Sequence, residues 1–216
     1  MARPLLTVLA LPGSRPTGGD GVEFLALDAD TPAALRVAAA GARAPVVTVL
    51  GAGQRLRPHA ARAAAATAAR QPHRRWWWVA DGPLGAGAEP LRTDLLSLLL
   101  RHDRALPVTF ARPEVLAIDT GVNGGGAAAH AFARACRCLD AGILPGRLEG
   151  PVSDEEEVGL GGDLRLAQAR VAAAFADRCP PQRRDAVWAA CAATEARTRL
   201  VAAFAPAQAS PLRRAA

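Results

Sequence analysis

Two aspartates separated by one residue, Asp28 and Asp30, follow the apolar run "VEFLAL". That run predicts a buried strand, and the end of a strand is where ligands usually bind in open α/β sheets. The pair is therefore a candidate ligand site. Alternatively, Asp30 helps to cap a helix that opens at Pro32, where Thr31 is a good N-cap.

A second candidate site is the glycine-rich turn in "VTVLGAGQRLRP". Gly51 and Gly53 follow an apolar strand, and a helix is predicted to start at Pro58. Arg55 and Arg57 lie between them, and guanidinium groups pair bidentately with phosphate oxygens beside a helix start. The alternative is that both are surface arginines in an arginine-rich chain.

The dinucleotide-binding fingerprint is incomplete at this turn. Its G-x-G-x-x-G pattern belongs after the first strand, with an acid about 20 residues later. Here Leu56 stands at the third glycine position, and no acid occurs between Asp30 and Asp81. An α/β protein that binds NAD through Gly51 and Gly53 nevertheless remains one alternative for the function of this chain.

Asp81, His130 and the tryptophans of "WWWVA" complete the candidates. Asp81 lies at the end of a predicted strand, before a Gly-Pro turn, and is either a ligand or a turn residue. His130 can act as a base at neutral pH, or it is a buried helix histidine. Trp76–Trp78 could stack a sugar, although alternate residues of a buried strand face opposite sides. The cysteines and histidines lack metal-site spacing, so we expect no metal or cofactor.

The order of elements predicts an α/β fold with a mainly parallel open sheet flanked by helices. Strands are expected in "LLTVLAL", "VEFLAL", "PVVTVL", "WWWVA" and "LPVTF". As apolar runs, the second, third and fourth are typical of strands buried on both faces. Prolines at the first helical turn place helix starts at Pro32, Pro58, Pro90 and Pro113.

The pattern changes after Pro151 and predicts two domains, 1–152 and 153–216. Ser153 and Glu156 form a possible capping box, and Leu164, Ala167, Val171 and Phe175 form a helical stripe. A further helix is predicted from Pro181. The second region is thus a helical extension packed on the sheet domain.

Composition narrows the function classes. The 216 residues carry a formal net charge of +6, and all 26 basic residues are arginine. The arginines are spread along the chain and only 4 Trp and 5 Phe could stack bases, so we expect no nucleic-acid partner. Apolar runs are too short for a membrane span. The first run reads as a strand rather than a signal peptide, which favours the cytoplasm.

The segment 22–152 resembles family 2 glycosyltransferases of the GT-A fold, which is Rossmann-like. The resemblance rests on "AALRVAAAGARAPVVTVLGAGQRLRPHAARAAAATAA" and on "LPVTFARPEVLAIDTGVNGGGAAAHAFARACRCLDAGILPGRLEGPV". Aligned on Leu50, Leu56 and Pro58, the metal-binding acids of the family fall at Gly51, Gly53 and Gln54. The family's later acidic pair falls near Ala127 and Ala128. Both acid sites are replaced in this chain.

The resemblance implies sugar transfer from a nucleotide-sugar donor, by a metal-independent or impaired route. It places His130 near an acceptor-side acid, as the candidate base. The implied nucleotide-binding residues are Asp28, Asp30, Gln54, Arg55 and Asp81. The alternative is a non-catalytic pseudo-glycosyltransferase that serves as a binding or assembly module for a partner protein or a second copy.

Overall fold

The computed structural model describes residues 3–14, 19–29, 31–51, 54–79, 95–100, 109–118, 120, 126–148, 153–155 and 162–204. Its strands are β1 (Leu6–Ala10), β2 (Val22–Ala26), β3 (Val47–Leu50), β4 (Gln54–Leu56), β5 (Trp76–Val79), β6 (Thr109–Ala111), β7 (Gly146–Leu148) and β8 (Ser153–Glu155). Its helices are α1 (Pro32–Gly41), α2 (Ala60–Arg70), α3 (Leu95–Leu99), α4 (Pro113–Leu116), α5 (Gly126–Asp140), α6 (Gly162–Ala176) and α7 (Pro181–Phe204).

The main sheet has the strand order β2-β1-β3-β6-β5-β7 within the described part of the chain. β2, β1 and β3 pair in parallel, and so do β5 and β7. β6 is antiparallel to both of its neighbours, β3 and β5. β4 and β8 form a separate antiparallel pair. The prediction of a mainly parallel open sheet flanked by helices is confirmed.

Helices cover both faces of the sheet. Successive side chains of a strand point to opposite faces, so neighbouring residues of one strand belong to different cores. Leu6 and Val8 of β1 are buried with the alanines of α2. Leu9 is buried on the other face, in the larger core that includes α5, α6 and α7. The expectation that every apolar run is buried on both faces is wrong for β2, since it is an edge strand in which Phe24 is 37% exposed.

Two of the predicted helix starts are confirmed and one is wrong. α1 begins at Pro32, and the Thr31 hydroxyl accepts a hydrogen bond from a first-turn backbone N–H at 3.2 Å. α4 begins at Pro113. α2 begins at Ala60 instead of Pro58, because β4 comes first and Pro58 lies in the turn that follows it.

The C-terminal helix α7 packs in the same core as the main sheet. Val187 and Cys191 of α7 belong to the same buried cluster as residues of β1 and β3. The predicted capping box at Ser153 and Glu156 is wrong, because Ser153 lies in β8 and pairs with β4 instead of opening a helix. The helix predicted from Pro90 is described only as α3.

Among the described helices, none is long and apolar enough to cross a membrane.

A carboxylate joins the starts of β1, β2 and β3. Glu23 accepts hydrogen bonds from the Thr7 hydroxyl at 2.7 Å and from the Arg43 backbone N–H at 3.1 Å, and it also pairs with the Arg43 side chain. Burial by itself raises the pKa of Glu23, but these hydrogen bonds and the Arg43 charge outweigh it. The pKa of Glu23 therefore lies below its usual 4.5.

Replacing Glu23 with glutamine is expected to lower the free energy of unfolding by about 1–2 kcal/mol at neutral pH. Because the pKa is lowered in the folded state, this contribution is present above the unfolded value near 4.5 and is lost as pH falls through the folded value. Urea unfolding at several pH values measures the difference, which should shrink in acid. Replacing Asp20 with asparagine is the control: its side chain is 94% exposed, so this change should lower the free energy of unfolding by less than about 0.5 kcal/mol.

Candidate functional site

The strand order reverses beside β1. β2 pairs with one edge of β1 and β3 with the other, so the chain leaves the carboxyl ends of β1 and β2 in different directions. In open α/β sheets ligands bind in the crevice formed at such a reversal. The described residues that follow these strands are 11–14, 27–29 and Gly51, and we call this place the switch-point crevice.

The segment after β1 is a tight turn that supplies one wall of the crevice. The Ser14 backbone N–H donates to the Leu11 carbonyl at 3.0 Å, and the Ser14 hydroxyl donates to the same oxygen at 2.6 Å. Gly13 has φ +79°, which fits the third position of a type II turn after Pro12. Sequence reasoning missed this turn, although the Pro-Gly dipeptide signals it.

Asp28 lies at the crevice and is exposed, two residues beyond the end of β2. The backbone of Leu27 donates to Ala10 at 2.9 Å, so the pairing of β2 with β1 continues up to the residue before Asp28. The second aspartate, Asp30, lies outside the described residues. Thr31 caps α1, so the helix start has a cap that does not depend on Asp30.

The turn after β3 is closed by Gln54. Its side-chain oxygen accepts a hydrogen bond from the Gly51 N–H at 2.9 Å, and its own N–H donates to the Gly51 carbonyl at 3.2 Å. The chain then enters β4 rather than a helix. A dinucleotide fingerprint needs a helix directly after its glycines, so this turn lacks the context for NAD binding.

Arg55 lies in β4, exposed, with Asp154 as its antiparallel register partner in β8. The position of Arg55 is therefore set by the small sheet. Sequence reasoning missed this sheet, because its two strands have only three residues each.

The donor set at this turn does not fit the divalent ion that the resemblance implies. Mg²⁺ and similar cations require several oxygen ligands. Gly51 has no side chain, the Gln54 side-chain oxygen is bonded within the turn, and Arg55 carries positive charge. In the described segments, no three His, Cys, Asp or Glu side chains are grouped so that they could hold a metal ion. No reaction step is therefore assigned to a metal here.

His130 lies in the first half of α5 and is 1% exposed. Its Nδ1 is 3.2 Å from the Thr120 hydroxyl, which is also buried. A general base must come within hydrogen-bond reach of the proton that it accepts. A ring buried to this extent presents no open face to an acceptor hydroxyl in this conformation. Asp81 lies outside the described residues.

The three tryptophans of β5 belong to the core. Trp76, Trp77 and Trp78 are 3%, 1% and 5% exposed, so none offers a ring face to a sugar. Trp76 donates its ring N–H to the Ile143 carbonyl at 2.9 Å and packs edge-on against Trp78 at 5.1 Å between centroids. Their contribution is to the stability of the sheet.

The four cysteines are free and buried. Burial raises the pKa of the Cys138 and Cys191 thiols to about 11. Such thiols stay protonated at neutral pH, and the thiolate is the nucleophilic form. The arrangement therefore does not support cysteine catalysis.

Comparison of this chain with family models, with curated proteins and with solved structures finds no match.

Proposed function

We propose that this chain is a glycosyltransferase-like protein of the GT-A fold that binds the nucleoside diphosphate of a sugar donor in the switch-point crevice. The observation that carries the proposal is the reversal of strand order at β1, because ligands of open α/β sheets bind at such reversals. The resemblance to family 2 glycosyltransferases supplies the chemical class of the ligand.

Two described side chains have suitable roles in this proposal. The exposed carboxylate of Asp28 accepts hydrogen bonds from the ribose hydroxyls of the donor. Arg55, four residues after Gly51 in the short strand β4, pairs with the diphosphate oxygens and offsets their charge as the diphosphate departs. In transfer, the bond from the sugar to the diphosphate breaks, the acceptor oxygen bonds to the sugar, and a base takes the acceptor proton.

His130 remains the predicted base, but its burial favours the alternative of a non-catalytic protein. Under that alternative the chain keeps the crevice and has lost transfer, acting as a binding or assembly module. The absence of acids at Gly51 and Gln54 favours the same alternative, because neither residue can hold a metal at the donor diphosphate. Both proposals share the nucleotide crevice, so nucleotide binding is the first property to measure.

Thermal unfolding with uridine, guanosine, cytidine and adenosine diphosphates, with and without Mn²⁺, tests the crevice. One diphosphate at about 100 times its dissociation constant is expected to add about 2.7 kcal/mol of stability. For a chain of this size that raises the melting temperature by roughly 5–10 °C. The shift should not require Mn²⁺, and NAD should give none.

Asp28→Asn should weaken the binding of that diphosphate about tenfold in titration calorimetry, because it removes a charged acceptor. Asp20→Asn is the matched control, since Asp20 is also exposed but precedes β2 instead of following it. Equal affinity in the two variants would place the nucleotide elsewhere. No shift with any diphosphate would contradict the proposal, and transfer of sugar by the intact chain would exclude the non-catalytic alternative.

A further inference from the structure

Arginine is concentrated along the amino edge of the main sheet, opposite the crevice. One or more arginines precede β1, β3 and β5, and one follows β6, which runs in the opposite direction. Another ends α2 at the same edge. We call this set the arginine rim: Arg3, Arg43, Arg70, Arg74, Arg75 and Arg112.

Hydrogen bonds to backbone carbonyls connect the rim without neutralising it. Arg3 Nε donates to the Arg43 carbonyl at 3.0 Å. Arg112 donates its backbone N–H to the Arg75 carbonyl at 2.8 Å and its Nε to the Arg74 carbonyl at 3.3 Å. A neutral carbonyl leaves the full positive charge on each guanidinium. The guanidinium groups of Arg3 and Arg112 are therefore held in place without losing their charge, whereas Arg43 is paired with Glu23.

The acids near this edge are fewer than the arginines. Among the described residues of this edge, Glu23 pairs with Arg43 and Glu114 lies exposed in α4, so the six rim arginines exceed these two carboxylates by four. Two further acids of the region form pairs outside the rim, Asp20 with Arg62 and Asp140 with Arg178.

The chemistry of this edge fits a lipid surface better than a single-stranded nucleic acid. Single-stranded nucleic acids require aromatic side chains on which bases stack. The tryptophans of β5 are buried, and the exposed large apolar residue described at this edge is Leu144, 44% exposed, two residues before β7. Arginine beside an exposed aliphatic side chain is the combination that favours the headgroup region of a bilayer.

We propose that the arginine rim docks this protein peripherally on an anionic phospholipid surface. Leu144 enters the headgroup region while the guanidinium groups contact phosphates. The strands of the sheet are up to five residues long, so the switch-point crevice lies about 17 Å farther from the membrane and faces water. The inference depends on the fold and is independent of nucleotide binding.

Co-sedimentation of the full chain with vesicles tests the docking. The chain should bind vesicles of phosphatidylcholine mixed with phosphatidylglycerol, and not vesicles of phosphatidylcholine alone. Added salt should release it, because the attraction is screened. Arg74→Gln with Arg75→Gln should weaken partitioning about 30-fold. These changes spare the backbone carbonyls that Arg112 contacts.

The matched control is Arg36→Gln with Arg170→Gln, which removes the same charge from exposed positions in the middle of α1 and α6. Its partitioning should stay within about threefold of the unchanged chain, and circular dichroism checks that both variants fold. Equal loss in the two variants would assign the effect to net charge and overturn the rim. Binding to duplex DNA but to neither vesicle would overturn the lipid assignment.

Discussion

Replacing Gly146 with alanine is expected to lower the free energy of unfolding by about 3 kcal/mol. A Cβ at this position would lie 2.2 Å from Trp77 Cδ1, 2.5 Å from Trp77 Nε1 and 2.3 Å from Gln71 Oε1. The Gln71 amide is the end of a flexible side chain and can move. The indole of Trp77 is rigid and 1% exposed, so the strands β5 and β7 must separate or Trp77 must leave its position.

Denaturant unfolding followed by circular dichroism measures this change. Gly41→Ala is the matched control, because no atom lies within 4 Å of an added Cβ at the end of α1. That change should be neutral or stabilise the protein by up to about 1 kcal/mol, since alanine favours helix. Equal stabilities of the two variants would mean that β7 does not lie against Trp77 as described.

The main sheet could be predicted because its strands are apolar runs bounded by turn residues. "LLTVLAL", "PVVTVL" and "WWWVA" contain too few polar residues to be surface segments, and each gave a strand of the main sheet. The direction of β6 could not be read from "LPVTF", because a short apolar run has the same composition in either orientation. The small sheet was missed since three-residue strands show no periodicity.

The candidate site was predicted only in part. Asp28 and the turn at Gly51 were found because residues that follow a buried strand lie at the edge of the sheet. The sequence left open whether His130 is a base or a buried helix histidine, because alanine occurs on every side of α5 and hides the apolar stripe. Burial extends around most of this helix, to Phe132, Arg134 and Cys138 among others. No single helix face therefore identifies the core side.

The two edges of the sheet carry different chemistry for a physical reason. At the carboxyl edge the turns at Gly13 and Gly51 leave backbone groups and Asp28 near one crevice. At the amino edge, the returns of the chain from α1 and α2 carry arginine, Arg43 before β3 and Arg74 and Arg75 before β5. The long side chain of arginine can reach water from such positions. Ligand and surface contacts can thus occur at the same time without competing.

Trp77→Ala is expected to lower the free energy of unfolding by about 3–5 kcal/mol. The side chain packs with Leu148 and Phe110 in the core beneath α2, and its ring N–H donates to Gln71 Oε1 at 3.1 Å. Truncation removes this contact area and leaves the Gln71 oxygen without its donor. Urea unfolding measures the loss, and Trp188→Ala, at a site 44% exposed, should cost less than about 1 kcal/mol.

The same variant separates a core role for Trp77 from sugar stacking. If the indole stacked a sugar, its removal would weaken ligand binding and leave stability nearly unchanged, the reverse of the expected result. A double-mutant cycle adds a second criterion: Gly146→Ala should cost less in the Trp77→Ala background, because the clashing ring is gone. Additive effects of the two changes would contradict the contact between β5 and β7 on which both predictions depend.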